Sequence, residues 1–153
     1  MTQTTRLVLF EDLVDWQDIA RDRLENAGYS VTVIHTEEEF YRKVSEFEAD
    51  PPVCFVIDMM VVWTEPALNM PPAPDEVKKN GFRRAGARCQ KKIGESKLLK
   101  SIPVVFWTIL SEERLTEEYQ GSLPKNCCYL SKDMEIEKLI EMIGRRVSGR
   151  HIA

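Results

Sequence analysis

Short apolar runs alternate along the chain with longer segments in which apolar residues recur every three or four positions. The run at 51–62 starts with two prolines and is apolar at nearly every position up to Asp58. A run without polar alternation is typical of a strand inside a parallel sheet, where both faces are covered. Further strand patterns lie at 6–10, 29–34, 102–108 and 127–130. The pattern therefore predicts five strands.

The first two segments between these runs have the periodicity of amphipathic helices. One is predicted to begin with Asp15 as its N-cap and to stop at Gly28. The other begins with a capping box, Thr36 followed by Glu39, and stops before Pro51. The positions expected to face the core are Trp16, Ile19, Ala20, Leu24 and Ala27 in the first helix, and Phe40, Val44 and Phe47 in the second.

Three more helices are predicted in the second half of the chain. A basic helix covers about 80–93 and breaks at Gly94, an acidic helix covers 111–119 with Ser111 as its cap, and a last helix closes the chain. Five alternations of strand and helix predict an α/β fold, a doubly wound parallel sheet with helices on both faces. The expected core positions of the basic and closing helices are Phe82, Ala85, Cys89, Ile93, Ile136, Leu139, Ile140, Ile143 and Val147.

The stretch between the middle strand and the basic helix is unusual. Residues 63–76 include Pro66, Pro71, Pro72 and Pro74, so this part is predicted to be a long surface loop. Residues 78–100 contain nine basic side chains and one acid, a formal charge of +8, whereas the rest of the chain carries −12. A solvated helix face is the simpler interpretation, and contact with an acidic partner or nucleic acid is the alternative. The acidic remainder argues against nucleic acid.

Composition narrows the class of protein. A chain of 153 residues, 43% hydrophobic and 30% charged, has the length and composition of one soluble domain. We expect a cytoplasmic protein without membrane contact, because the N-terminus does not resemble a signal peptide and no apolar run approaches the roughly 20 residues of a membrane span. The cysteines Cys54, Cys89, Cys127 and Cys128 lack C-x-x-C spacing, which argues against a zinc or redox site.

Polar residues with complementary chemistry follow the predicted strands. Because the carboxyl ends of parallel strands share one edge of the sheet, we expect these side chains to become neighbours. Clustered carboxylates repel one another unless a cation joins them, and Mg²⁺ prefers oxygen ligands. A phosphoryl group on Asp58 would be neutralised by that metal and by a lysine, and a threonine hydroxyl could donate to it. The residues at the strand ends are Glu11, Asp12, Asp58, Thr108 and Lys132.

The metal ligands can be assigned within this set. Asp12 and Asp58 are the expected direct ligands of Mg²⁺, with Glu11 beside them. A backbone carbonyl near Met60 is the expected third ligand. No other cofactor is predicted.

This constellation resembles the receiver domain of two-component response regulators, the CheY-like family, over essentially the whole chain. The resemblance implies a flavodoxin-like sheet with strand order 2-1-3-4-5 and places the phosphoacceptor at Asp58. It also implies a switch in which Thr108 moves toward the phosphoryl oxygen and Tyr129, three positions before Lys132, rotates inward. We expect residues 1–153 to form one receiver domain, with an extended loop and basic helix at about 61–100.

Two positions depart from the pattern of that family. Asp133 follows Lys132 where the family usually has proline. The interval from Asp58 to Thr108 is longer than usual by roughly twenty residues, and loops of that length are often functional.

The resemblance implies a set of partners. The donor would be a histidine kinase or phosphotransfer protein, and the output would pass to a downstream effector protein; a homodimer stays open. Turnover of a substrate is not expected beyond self-phosphorylation and autodephosphorylation. The main alternative is a receiver-like docking scaffold that is never phosphorylated.

Two other functions are weaker alternatives. A phosphatase of the haloacid dehalogenase type would need an acid two residues after Asp58, where this chain has Met60. A flavodoxin-like cofactor binder would need a phosphate-binding loop after the first strand, where this chain has acids.

The three tryptophans have different expected positions. Trp16 and Trp107 are expected in the core, and Trp63 either packs locally or covers the site.

Overall fold

The computed structural model describes residues 5–65 and 72–150 of the chain. Within these residues the strands are β1 (Arg6–Phe10), β2 (Ser30–Ile34), β3 (Cys54–Ile57), β4 (Val104–Thr108) and β5 (Cys127–Ser131). They form one sheet in the order β2-β1-β3-β4-β5, and every neighbouring pair is parallel. This confirms the predicted doubly wound α/β fold and its strand order.

Helices cover both faces of the sheet, as a sheet buried on two sides requires. The core on one face is built with Ala20 and Leu24 of the first helix and Leu139 and Ile143 of the last. The core on the other face contains residues of the second, fourth and fifth helices. The helices are α1 (Val14–Asn26), α2 (Glu37–Ala49), α3 (Asp75–Asn80), α4 (Ala85–Glu95), α5 (Glu112–Glu117) and α6 (Ile136–Arg150).

The start of α1 differs from the prediction. The helix begins at Val14 with Leu13 in the N-cap position and no side-chain cap, so the prediction of Asp15 as N-cap was wrong. Ile19, predicted to face the core, is 46% exposed. Gln17 is buried instead, because its amide donates to the Glu11 carbonyl at 2.7 Å and contacts His35 Nδ1 at 3.0 Å. The buried face of α1 therefore includes a polar side chain whose burial is compensated by two partners, at a position that the hydrophobic pattern did not include.

The predicted caps of α2 and α5 are present. The Glu39 N–H donates to Thr36 Oγ1 at 3.1 Å, while the Glu39 carboxylate accepts from the His35 N–H rather than from Thr36 itself. The Arg114 N–H donates to Ser111 Oγ at 3.2 Å. Each hydroxyl therefore satisfies one of the amide groups that a helix start leaves without a partner.

The basic helix predicted at 80–93 is divided. Residues Asp75–Asn80 form α3, Phe82–Arg84 form a 3₁₀ turn, and α4 begins at Ala85. The break falls at Gly81, whose φ of +76° is a left-handed conformation that glycine adopts without strain. As a result Phe82, predicted to be buried, is 51% exposed.

The boundaries around that segment also shift. The expected loop at 63–76 ends at Asp75, where α3 starts, and its part at 66–71, with Pro66 and Pro71, lies outside the described residues. The predicted break at Gly94 is wrong, because α4 continues to Glu95. A single glycine lowers helix stability by only about 1 kcal/mol, which packing of α4 on the sheet offsets.

One basic side chain of residues 78–100 lies in the protein interior. Arg88 is buried and donates through Nε and Nη2 to the two carboxylate oxygens of Glu37, at 2.7 and 2.8 Å. Its Nη2 also donates to the Gly81 carbonyl at 2.9 Å, and the Tyr41 hydroxyl donates to Glu37 at 2.8 Å. Arg88 therefore does not belong to the predicted solvated face. It connects Gly81, the residue before the 3₁₀ turn, to Glu37 of α2.

None of the helices in the described residues combines the length and the apolar character needed to cross a bilayer.

Candidate functional site

Three buried charged side chains meet where β1, β3 and β5 end. Glu11 directly follows β1, Asp58 follows β3 and Lys132 follows β5. The Lys132 ammonium donates to Asp58 Oδ2 at 3.1 Å and to Glu11 Oε1. All three residues are buried, so each charge depends on the others for compensation.

Asp12 completes a cluster of three carboxylates. Glu11, Asp12 and Asp58 each offer an oxygen, and these oxygens lie within 4.8 Å of one another. Backbone amides hold the carboxylates in place: the Val62 N–H donates to Asp12 Oδ2 at 3.1 Å, and the Leu13 N–H donates to Glu11 Oε2 at 3.2 Å. The donor set fits Mg²⁺, which binds carboxylate oxygens together with water and phosphate.

The electrostatics of the cluster favour a bound cation. Burial, reinforced by the Asp58 charge, raises the pKa of Glu11 from 4.5 to about 7, although Lys132 acts in the opposite direction. Burial also raises the pKa of Asp12, with Asp58 adding to the shift and the Val62 hydrogen bond opposing it. One lysine therefore does not fully compensate three carboxylates, and a divalent cation among the oxygens would stabilise their ionised forms.

Two indole rings position Lys132. Its ammonium lies 4.8 Å from the ring centroid of Trp16 and 5.1 Å from that of Trp107. The two rings meet edge to face at 5.3 Å. Both were predicted only as core residues. The parallel register would have indicated the contact of Trp107, because it pairs with Leu130, two positions before Lys132.

The two predicted switch residues are joined through Leu110. Thr108 is buried, and its Oγ1 accepts from the Leu110 N–H at 3.3 Å. The Tyr129 hydroxyl donates to the Leu110 carbonyl at 2.7 Å. The sequence did not indicate Leu110, because its contribution is made entirely by backbone atoms.

Two other predicted positions can be placed. The Met60 N–H donates to Asp58 Oδ1 at 3.4 Å, so Met60 lies beside the acidic cluster, and its carbonyl stays a predicted metal ligand. Asp133 follows Lys132 in a turn in which its N–H donates to Ser131 Oγ at 3.1 Å. The serine hydroxyl thus helps to shape the loop at the position where this chain departs from the receiver pattern.

The acidic cluster opens into a cavity of about 250 Å³. Asp12, Asp58 and Lys132 contribute its polar surface. Trp63 packs against Tyr41, with ring centroids 5.9 Å apart. Of its two predicted roles, local packing or covering the site, this contact is local packing. The apolar side chains around the cavity are Leu13, Trp16, Met60, Val62, Phe82 and Ile109.

Helix α4 contacts the site through Gly86. The Gly86 N–H donates to the Met59 carbonyl at 3.1 Å. The sequence offered one indication of such a close approach, the run of small residues Ala85, Gly86 and Ala87, but it did not show which backbone lies against it.

Solved structures of other proteins share the fold of this chain, although its sequence has no match among family models or curated proteins. Among solved structures, a CheY-like response regulator receiver domain protein from Methanospirillum hungatei JF-1 is 19% identical, with a TM-score of 0.69 over 97% of this chain and 98% of that one. A putative response regulator from Chloroflexus aurantiacus J-10-fl is 16% identical, with a TM-score of 0.68 over 95% and 99%.

A third solved structure gives the same result. The receiver domain of the Francisella response regulator 1452 is 18% identical, with a TM-score of 0.66 over 96% of this chain and 99% of that one. At these identities the likeness establishes the fold. The chain has the CheY-like receiver fold. The resemblance predicted from the sequence is therefore confirmed for the fold.

Proposed function

On the premise of a receiver fold, we propose that residues 1–153 form a receiver domain of a two-component phosphorelay. Asp58 accepts a phosphoryl group in a Mg²⁺-dependent reaction. The observation that carries this proposal is the contact of one buried lysine, Lys132, with both Asp58 and Glu11 beside Asp12. A site with this composition combines a nucleophilic carboxylate, oxygen ligands for a metal and a cation for a phosphoryl oxygen.

Each residue of the site has a separate role in the proposed phosphoryl transfer. Asp12, Asp58 and the Met60 carbonyl would hold Mg²⁺, with Glu11 adjacent; when bound, the metal supplies positive charge to the phosphoryl oxygens. A carboxylate oxygen of Asp58 forms a bond to phosphorus while the phosphorus–nitrogen bond of a phosphohistidine breaks and its electron pair stays on the imidazole. Lys132 neutralises a phosphoryl oxygen, because its ammonium already lies 3.1 Å from Asp58.

The switch proceeds through Leu110. The Thr108 oxygen accepts from the Leu110 N–H, which leaves the hydroxyl hydrogen able to donate to a phosphoryl oxygen. Movement of Thr108 toward Asp58 then displaces Leu110, whose carbonyl is the acceptor for the Tyr129 hydroxyl. Phosphorylation at one end of this path therefore changes the hydrogen bond of Tyr129 at the other.

The proposed partners follow from this chemistry. The donor is a histidine kinase or a phosphotransfer protein, and a downstream effector protein recognises the altered surface near Tyr129. A cytoplasmic location suits a phosphohistidine donor, and it also suits the burial of all four cysteines.

The experiment is incubation with acetyl phosphate and Mg²⁺, followed by intact-mass measurement. We expect a phosphoryl adduct that hydroxylamine removes, that EDTA prevents, and that Asp58→Asn abolishes. An unmodified wild-type protein would overturn the proposal. Equal binding of a partner by wild type and Asp58→Ala would then support the docking scaffold.

A further inference from the structure

The fold redistributes the positive charge of residues 78–100. Arg88 is buried and neutralised by Glu37. Lys91 and Lys92 lie around a separate cavity whose lining also includes Glu76 and Glu95, so acids accompany them. The linear charge of this segment therefore does not form one basic face.

Three of the remaining basic residues, Lys79, Arg83 and Arg84, lie around one groove. A cavity of about 310 Å³ lies between the 3₁₀ turn and α5. Lys79, Arg83 and Arg84 line one side, and Arg114 of α5, outside the basic segment, lines the other. Four basic side chains from three elements thus surround a single groove in a protein whose net charge is −4.

Acids in the groove neutralise only part of this charge. Arg84 pairs with Glu118 at 3.0 Å. Among the described residues, Lys79, Arg83 and Arg114 have no carboxylate within ion-pair distance, and all three are exposed. Glu117 and Glu118 are the acids that line the groove, which leaves an excess of two positive charges.

The groove also reaches the backbone that connects the predicted switch residues. Met59 and Leu110 are part of its lining. Met59 directly follows Asp58, and the Leu110 backbone is hydrogen-bonded to the side chains of both Thr108 and Tyr129. A ligand in the groove would lie next to elements that contact the acidic cluster.

We propose that this groove binds an acidic peptide segment of a partner protein. Carboxylates spaced along a short segment can reach Lys79, Arg83 and Arg114 separately. A nucleic acid is disfavoured, because its continuous phosphate charge would meet Glu117 and Glu118 in the groove and the −12 charge of the chain outside residues 78–100. This inference does not depend on phosphorylation of Asp58.

The test measures binding of a fluorescein-labelled ten-residue peptide, in which glutamates alternate with glycines and serines, to the unphosphorylated full chain by fluorescence anisotropy, at about 50 mM salt where the field is weakly screened. Arg83→Glu/Arg114→Glu reverses two groove charges whose side chains have no ion pair in the described structure. Lys97→Glu/Lys100→Glu makes the same charge change outside the groove and is the matched control. A deca-thymidine oligonucleotide is the competing probe, and thermal unfolding shows that both variants are folded.

We expect the groove variant to lose at least about tenfold in peptide affinity, the equivalent of about 1.4 kcal/mol, and the control less than about twofold. Three results would overturn the proposal: no measurable binding by wild type, an equal loss in both variants, or tighter binding of the oligonucleotide than of the peptide. Each of these can be obtained whether or not Asp58 is phosphorylated, so the result is independent of the proposed function.

Discussion

The Cα atom of Gly86 lies so close to Asp58 that there is no room for a side chain between them. A Cβ atom at Gly86 would be 2.5 Å from the Asp58 carbonyl oxygen and 2.8 Å from the Met59 Cα. The neighbours are backbone atoms, which cannot rotate away as a flexible side chain would. The long connection between β3 and α4 therefore does not separate α4 from the acidic cluster, because Gly86 of α4 contacts the backbone of Asp58, which directly follows β3.

Gly86→Ala should displace the backbone of Asp58. We expect a loss of about 1–3 kcal/mol in the free energy of unfolding, as for overpacking elsewhere, together with weaker Mg²⁺ binding. Urea denaturation and calorimetric titration of Mg²⁺ measure the two effects. Gly144→Ala in α6 is the control, since nothing lies within 4 Å of its Cβ position, and it should raise stability by about 0.5–1 kcal/mol. Equal changes in the free energy of unfolding and in Mg²⁺ affinity for the two variants would contradict a clash between the Gly86 position and the Asp58 backbone.

Lys132→Met should leave Glu11 and Asp58 buried without their cation. Breaking a buried pair by removing one partner destabilises by about 3–5 kcal/mol, so we expect a loss of this order at pH 8 in EDTA. Added Mg²⁺ should restore more stability to this variant than to wild type, because it replaces the missing positive charge. Lys138→Met, at an exposed pair with Glu141, should change stability little. Urea denaturation with and without Mg²⁺ decides the outcome.

Glu11 should make the metal-free protein less stable as pH rises. Its pKa is raised in the folded state, to about 7 from 4.5, so the folded protein binds its proton more tightly than the unfolded chain does. The resulting stabilisation is fully present below pH 4.5 and is lost as pH rises through about 7. The whole effect is at most about 3 kcal/mol at 1.36 kcal/mol per pKa unit.

The measurement compares wild type with Glu11→Gln in EDTA by urea denaturation from pH 4.5 to pH 8. Because glutamine does not titrate, the difference in the free energy of unfolding between the two proteins isolates the contribution of Glu11. We expect wild type to lose stability relative to the variant across this interval. A difference that does not vary with pH would show that Glu11 titrates normally.

Arg88→Met should destabilise the protein more than the double variant Glu37→Gln/Arg88→Met. The single change leaves the Glu37 carboxylate buried without its guanidinium, with an expected loss of about 3–5 kcal/mol. The double variant removes both charges and should recover a large part of that loss. Arg83→Met is the control for loss of an exposed arginine. Thermal unfolding of the four proteins checks the order.

Phe82→Ala should open the cavity that Asp58 lines, and on the proposed function this should speed phosphorylation of Asp58. Phe82 lines this cavity from the 3₁₀ turn, and Arg88 holds the preceding carbonyl of Gly81. We expect acetyl phosphate to modify Asp58 severalfold faster, and the adduct to hydrolyse severalfold faster, because reagent and water reach it more easily. Leu98→Ala removes a similarly exposed apolar side chain that does not line the cavity, and it should leave both rates unchanged. Unchanged rates in Phe82→Ala would show that the side chain does not limit access.

The sequence was sufficient to predict the sheet and the meeting of its strand ends. Apolar runs define the strands, and parallel pairing brings Glu11, Asp58 and Lys132 to one edge whatever their separation in sequence. The pairing of Arg88 with Glu37 joins positions 51 residues apart through side chains, and no local pattern indicates such a contact. The division at Gly81 was missed for another reason: a glycine within a helical pattern is compatible both with a continuous helix and with a left-handed break.

The two tryptophans around Lys132 give the site an intrinsic optical reporter. Indole emission responds to a nearby charge, and Trp16 and Trp107 both lie about 5 Å from the lysine ammonium. A ligand that draws this ammonium toward itself changes the surroundings of both rings at once, whereas Trp63 packs against Tyr41 instead. Occupancy of the acidic cluster can therefore be followed in the unmodified protein by fluorescence, without an attached dye.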